Sequence, residues 1–281
     1  MSLPDVVLVN GRPKQGISPL DRGLQFGDGL FETIACRRGR PRFLALHLDR
    51  LLQGCERLNI VPGDGDAIRA EVTELDLRTD AAIIKLIVTR GESLARGYAA
   101  TGSERATRIA LRYPWPIEET GSWHAGVRVG VATMRLGENP TLAGLKHLNR
   151  LEQVLAQTER DARQVRELLM FGSSGALVCG TMSNVFLMNE NKLQTPRLDL
   201  CGIAGVMRRV VLREARRAGI GIEERVLTAQ DLEQAQEIFL TNARIGIWPV
   251  NALETRELAV GALTQRLQAA IEPMLEEPVD A

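Results

Sequence analysis

The sequence lacks several things at once, and each absence closes off a class of function. It has no net charge, because 35 lysines and arginines balance 35 aspartates and glutamates. Partners that need a strong uniform field, such as duplex nucleic acid or an anionic membrane, are therefore disfavoured. No apolar run approaches the roughly 18 residues that would suggest a membrane-spanning helix. The opening MSLPDVVLVNGR has neither the basic region nor the long apolar stretch of a secretory leader. These two absences predict a soluble, cytoplasmic protein. Cys36, Cys55, Cys179 and Cys201 include no C-x-x-C pair, so neither a disulfide framework nor a zinc knuckle is expected. His47, His124 and His147 lie far apart and form no H-E-x-x-H, and no metal site is expected. G-x-S-x-G and Walker A patterns are missing too. Gly27-Asp28-Gly29 starts a G-x-G-x-x-G that fails at Glu32.

What is present is a chain of 281 residues, 44% of them apolar. That is ample for a core, argues against disorder, and at about 150 residues per domain predicts two domains. Val6–Val9 reads as a strand before an Asn10-Gly11 hairpin turn. Phe31–Cys36 reads as another, with a tight turn at Arg38-Gly39-Arg40. Leu48, Leu51, Leu52, Cys55 and Leu58 recur at helical spacing and stop before Pro62. Ala81–Thr89 and Arg108–Tyr113 are further strands. The proline-bearing stretch after them predicts a linker over 116–126, between an N-terminal domain over 1–115 and a C-terminal domain over 127–281.

In the second part, Val127–Thr133, Glu167–Phe171, Asn184–Met188 and Glu237–Thr241 read as strands. Leu148, Leu151 and Leu155 predict an amphipathic helix, and Ala204–Ala218 a second one. Strands and helices mix without strict β-α-β alternation, which predicts an α+β, mixed α/β architecture.

Three features suggest chemistry. Lys146 follows a Gly/Pro-rich loop (LGENPTLAG), where a desolvated amine can act as a Schiff-base nucleophile. Taken alone, it also reads as a solvated lysine before a helix. Thr195-Pro196 to Gly205 (TPRLDLCGIAG) opens a helix with small residues, leaving backbone N–H groups for an anion; in isolation it is an ordinary loop-to-helix junction. Thr241-Asn242 ends an apolar strand and offers a hydroxyl and backbone donors, or simply a turn.

In combination the motifs are far more specific. DRGLQFGDGLFET, LHLDRL, KHLNRLEQ, GTMSNVF, CGIAGVMR and FLTN occur in this order. From about Val6 to Val250 the chain resembles the fold-type IV pyridoxal-phosphate enzymes, the superfamily of branched-chain and D-amino acid aminotransferases. RGYA, NPTLAGLKHLNRLEQVLA and NARIGIWPV are most similar to its aminodeoxychorismate lyases, which make 4-aminobenzoate, a folate precursor, and pyruvate. The resemblance implies a two-domain enzyme with pyridoxal 5'-phosphate between the domains, and a homodimer whose pocket is shared across subunits.

Carried over by position, the resemblance implies that Lys146 is catalytic and holds the cofactor covalently. Arg50 pairs with the cofactor phosphate, where a guanidinium gives bidentate, permanently charged recognition. Ile203 and Ala204 supply backbone N–H groups, and Thr241 and Asn242 complete the phosphate cup. Arg96 and Tyr98 match positions that bind a substrate carboxylate from the neighbouring subunit. Phe31 and Thr33 line the substrate pocket, with a plain core role open for Phe31. His147 and Arg150 are weaker candidates that read equally as decoration of the helix after Lys146.

Cys179 departs from the pattern. It occupies the place where relatives carry a glutamate beside the pyridine nitrogen. A carboxylate there keeps that nitrogen protonated. A neutral thiol cannot fully substitute, and a thiolate can only where its surroundings lower the pKa. The departure weighs against an aminotransferase more than against a lyase. The alternatives left open are a D-amino acid or branched-chain aminotransferase and a non-catalytic pyridoxal-phosphate-binding protein.

Overall fold

The computed structural model describes residues 3–13, 16–76, 81–94, 96–116, 125–190 and 192–276. Most of the predicted linker, and His124 with it, lies outside the described residues. The chain forms two compact units: residues 1–120, 146–149 and 274–281 in one, residues 121–145 and 150–273 in the other.

The first unit contains β1 (Val6–Val9), β2 (Arg12–Pro13), α1 (Arg22–Phe26), β3 (Gly29–Arg37), β4 (Arg40–Pro41), α2 (Leu44–Arg57), α3 (Gly65–Asp76), β5 (Ala81–Thr89) and β6 (Thr107–Pro114). Its strands form one antiparallel sheet in the order β2-β1-β6-β5-β3-β4. Asn10 and Gly11, with φ of 52° and 73°, make the expected hairpin turn, whose two central residues need positive φ. Strand β5 shows why the sheet has two unlike faces. Ala82, Ile84, Leu86 and Val88 are buried, while the alternate residues 81, 83, 85 and 87 are only half-buried, the period-two pattern of a strand with one covered face. Helices α2 and α3 pack on β3 and β5.

Residues 146–149 belong to this unit rather than to the second one, where the sequence placed them. The cause is backbone pairing. The Phe31 N–H donates to the Lys146 carbonyl and the Leu148 N–H to the Gly29 carbonyl, each at 3.0 Å, and Leu30 and His147 form an antiparallel bridge.

The second unit contains β7 (Val127–Leu136), α4 (Leu151–Arg163), β8 (Glu167–Gly172), β9 (Leu177–Gly180), β10 (Asn184–Asn189), β11 (Lys192–Pro196), α5 (Val206–Arg217), β12 (Gly221–Arg225), α6 (Ala229–Gln234), β13 (Glu237–Asn242), β14 (Gly246–Leu253) and β15 (Arg256–Glu257). Helix α7 (Ala262–Glu276) closes the described chain. The sheet order is β12-β11-β10-β13-β14-β7-β8-β9, with β15 on β14. It is mixed: β11–β12, β14–β7 and β7–β8 pair in parallel. Its apolar core gathers Val129, Leu169, Val185, Leu187, Leu240 and Trp248. Leu148 stands before the helix, not in it, because its N–H is held by Gly29. Among the described residues no helix is long and apolar enough to cross a membrane.

Candidate active site

In the first unit the site begins with a single acid in an apolar strand. Glu32 is buried on β3, where a lone carboxylate would be costly. His47 and Arg50, three residues apart on α2, both face it. His47 Nδ1 is 2.6 Å from Glu32 Oε2. Arg50 grips the carboxylate through Nε, at 2.8 Å to Oε1, and through Nη2. Burial pushes the Glu32 carboxyl up, but Arg50 and His47 together outweigh it and hold the carboxyl near 2. His47 is shifted down, first by burial and then by Arg50 and Lys146, against the pull of Glu32. A neutral imidazole facing a charged carboxylate donates from Nδ1. The result is a fixed guanidinium, its fork oriented by a fully buried partner. Glu32 and His47 were not singled out from the sequence. The signals were an acid inside LFETIAC and a histidine on the apolar side of a helix.

Lys146 is positioned by the backbone pairing described above. Its Nζ lies 4.2 Å from the centroid of the Phe31 ring. Phe31 and Thr33 are half-buried on the same side of β3, opposite to Glu32. The glycine-rich stretch before β3 is a structural knot. Asp28 accepts from Arg22 Nε at 2.9 Å and from Arg90 Nε at 2.8 Å. Burial raises its carboxyl, and Arg90 and Arg22 bring it below the ordinary range. Gly27 has φ +66°, and a Cβ there would collide with Asn149, whose Nδ2 donates to the Gly27 carbonyl at 3.3 Å. Only glycine satisfies both demands.

The same knot holds the RGY loop. Arg22 Nη2 donates to the Tyr98 carbonyl at 2.6 Å, and the Tyr98 ring meets Phe26 edge-on at 5.3 Å. Arg96 and Tyr98 are exposed. The structure brings Phe31 and Lys146 together but gives no contact from Arg96 or Tyr98 to either among the described residues. His147 is half-buried in the bridge to Leu30, so it does not decorate a helix.

The second unit carries the candidate anion-binding backbone. Gly144 pairs in parallel with Ile203. In that pattern Gly144 bonds to the residues flanking Ile203: its N–H donates to the Gly202 carbonyl and its carbonyl accepts from the Ala204 N–H, both at 3.0 Å. The Ile203 N–H is thereby turned away from the pairing and is available to an anion. The Ala204 N–H is engaged, which corrects its expected place in the cup. Asn184 Nδ2 donates to the Ile203 carbonyl at 2.9 Å, fixing the same peptide from its other side. Helix α5 starts after Gly205, which brings no side-chain cap, so its first N–H groups add positive potential there. A Cβ at Gly205 would strike Asn184.

Thr241 and Asn242 serve the fold. The buried Thr241 hydroxyl donates to the Gly246 carbonyl at 2.6 Å. The Asn242 side chain accepts from the Arg244 and Ile245 N–H groups at 3.0 Å and donates to the Met182 carbonyl at 3.1 Å. The Thr241 hydroxyl hydrogen is thus engaged in the β13–β14 turn and one Asn242 amide hydrogen at Met182, in the 181–183 loop. The same loop is organised by Glu167, buried and unremarked in the sequence. It accepts from the Thr181 and Met182 N–H groups at 3.1 and 3.2 Å and from the Ser183 and Thr181 hydroxyls.

Cys179 is buried on β9. Burial first, then Glu167 and Cys201, push its thiol well above the ordinary range, against the pull of Arg150. These surroundings favour the neutral thiol over the thiolate. Arg150, immediately before α4, is lowered by burial, with Cys179 and Glu152 opposing.

The first unit thus holds a lysine amine over an aromatic ring and a permanently charged fork, and the second an outward backbone donor, each a group that suits the aldehyde or the phosphate of pyridoxal phosphate. The family model for Amino-transferase class IV matches residues 29–253. The chain belongs to that family. An aminodeoxychorismate lyase from Vibrio harveyi is 33% identical over 264 residues, covering 92% of this chain and 97% of that protein. The crystal structure of 4-amino-4-deoxychorismate lyase from Pseudomonas aeruginosa superposes with a TM-score of 0.92 at 44% identity, covering 96% of this chain and all of that one. A branched-chain aminotransferase from Escherichia coli shares the fold, with a TM-score of 0.85 at 20% identity, covering 97% of this chain and 95% of that one. This class IV chain is accordingly a pyridoxal-phosphate enzyme of mixed α/β fold.

Proposed function

We propose that the chain converts 4-amino-4-deoxychorismate to 4-aminobenzoate and pyruvate. The observation that carries this reading is the Lys146 amine, fixed over Phe31 by pairing of its own backbone with β3. Lys146 would hold the cofactor through Nζ, the Arg50 fork of the first unit is suited to its phosphate, and the Ile203 N–H of the second unit is a backbone donor of the same kind. When bound, the cofactor supplies an electron-withdrawing ring. With cofactor and substrate bound, the Lys146 Nζ would be the base that takes the ring proton next to the substrate nitrogen. The departing enolpyruvyl group takes up a proton, so the atoms balance without a further reactant. General acid–base transfer of this kind contributes about 100- to 10,000-fold. Phe31 and Thr33 line the substrate pocket. Cys179 stands beside the pyridine nitrogen as a neutral thiol and favours elimination over transamination.

The working assembly in this reading is a homodimer, with Arg96 and Tyr98 reaching the neighbour's substrate. Support comes from apolar surface that the single chain leaves open: Leu151, Val154 and Leu155 on α4 are 77%, 56% and 55% exposed, a stripe at helical spacing that marks an interaction face. Four free cysteines suit a reducing compartment, and we place the chain in the cytoplasm. Incubation with chorismate, glutamine and purified aminodeoxychorismate synthase is expected to yield 4-aminobenzoate. Borohydride reduction and peptide mapping are expected to label Lys146, and Lys146→Ala to abolish both label and product. Label on another lysine refutes the assignment. Alanine transamination with 2-oxoglutarate in place of 4-aminobenzoate formation would favour the aminotransferase reading.

A further inference from the structure

A cavity of about 370 Å³ opens in the second unit and shares no residue with the candidate active site. That size lies in the range of small-molecule sites. Val131, Phe171, Leu232 and Leu253 give it apolar walls. These walls belong to the core around Trp248, whereas Cys179 packs in a different cluster.

A local irregularity sets a charge over those walls. Strand β7 has three residues between Val131 and Arg135, where β8 has one between Leu169 and Phe171. Such a bulge re-aims a side chain, and Arg135 comes to pair in register with Phe171. Its guanidinium carbon lies 5.1 Å from the centroid of the Phe171 ring. The ring steadies the fork, yet among the described residues the fork donates to no acceptor. Arg256 lines the same cavity. Its terminal nitrogens donate to the Glu233 and Ala235 carbonyls at the end of α6. Its Nε is buried and has no hydrogen-bond partner among the described residues. The border of the cavity is therefore rich in N–H donors and short of acceptors.

The two acids that line it differ in what they already hold. Glu254 is engaged: it accepts from Arg163 Nη2 at 2.6 and 2.8 Å and from the Val131 N–H at 2.7 Å. The Glu233 carboxylate has no partner among the described residues and pairs with neither Arg135 nor Arg256. A cation and an anion thus line one apolar cavity without meeting each other.

We propose that this cavity is a second binding site, for a single aromatic ring that carries a carboxylate and an amine. The carboxylate meets the Arg135 fork, whose planar N–H groups suit it bidentately. The ring lies on the apolar walls, and the amine donates to Glu233. The product 4-aminobenzoate is a molecule of this class; choosing it as the ligand rests on the lyase reading, and the site itself does not.

The test is calorimetry of the holoenzyme with 4-aminobenzoate, run beside absorption spectra of the cofactor. Binding at the active site perturbs that spectrum, and binding in the cavity leaves it unchanged. A saturable event that the spectrum does not report is expected in the wild type. Arg135→Met, which keeps a stem against Phe171 and removes the charge, should weaken it about 10- to 100-fold. Benzoate, which has no amine, should bind there more weakly than 4-aminobenzoate, and Glu233→Gln should remove the difference. Turnover at low product concentration should match the wild type in both variants. Should Arg135→Met fail to fold, Arg135→Gln gives the same readings. Absence of a spectrally silent event overturns the proposal, and so does one that loss of the Arg135 charge leaves within twofold. Equal binding of benzoate and 4-aminobenzoate to the wild type overturns the role of Glu233 and the amine. A protein that binds 4-aminobenzoate in the cavity yet fails to make it refutes the lyase reading and upholds the site.

Discussion

Replacing Glu32 with glutamine isolates the buried cluster that orients Arg50. Glu32 is 1% exposed, and its carboxyl is held near 2 against an ordinary 4.5. A depression of this size corresponds to on the order of 3 kcal/mol of stability. The same size is expected for leaving a buried cation without its partner, about 3–5 kcal/mol. The sign follows from linkage. A carboxyl with a lowered folded pKa contributes fully above its unfolded value, and the contribution is lost as pH falls from about 5 through 2. The contribution should therefore be on the order of 3 kcal/mol at pH 7 and less than half of that at pH 3.

The assay is urea unfolding of cofactor-stripped wild type and Glu32→Gln across this range, so that the cofactor's own titration does not enter. His47 is itself pulled up by Glu32, so both proteins are compared in a His47→Asn background, where the difference between them reports Glu32. The variant should also bind pyridoxal phosphate more weakly while its affinity for pyridoxal, which has no phosphate, changes little. A stability difference that is the same at pH 7 and pH 3 refutes the argument. So does an equal loss of affinity for both cofactor forms.

Cys179→Glu should raise alanine transamination relative to 4-aminobenzoate formation, because a carboxylate then faces the cofactor's ring nitrogen. Each tenfold change in that ratio is about 1.4 kcal/mol of barrier, and an unchanged ratio sinks the idea. The same variant should unfold at lower temperature, since it buries a second acid beside Glu167, and differential scanning calorimetry reads this directly. Mixing Arg96→Ala with Lys146→Ala should restore part of the activity through hybrid dimers with one intact shared site; hybrids that form without any recovery contradict sharing.

How far the sequence reached depended on whether the deciding partner was local. The alternation in Ala81–Thr89 and the Asn10-Gly11 turn are properties of neighbouring residues, and both appear as expected. Lys146 was legible from its motif, yet its place in the first unit was not, because that depends on pairing with Gly29 and Phe31, more than a hundred residues away. The Ala204 N–H and the Thr241 hydroxyl were read as open donors. Gly144 and Gly246 consume them, and neither pairing leaves a trace in the local sequence. Strand β9 hides in a run of small residues, and α3, α6 and α7 carry no motif that draws attention.

Two further cases show the limit from opposite sides. The helical spacing of Leu151 and Leu155 was read correctly, but periodicity says only that one face is apolar. It cannot say that the chain itself leaves that face open, as the exposure of both residues shows. At Cys179 the residue type left two protonation states open. Choosing between them requires the distribution of charge around a buried sulfur. Glu167 and Cys201 oppose the thiolate and Arg150 favours it, and burial, the largest influence, settles the balance for the neutral form. In the proposed reading, Glu32 fixes the arginine offered to the phosphate, while the position expected to hold a second carboxylate carries a thiol, which keeps the grip on the cofactor and changes its electronics. That is the combination a lyase tolerates better than an aminotransferase.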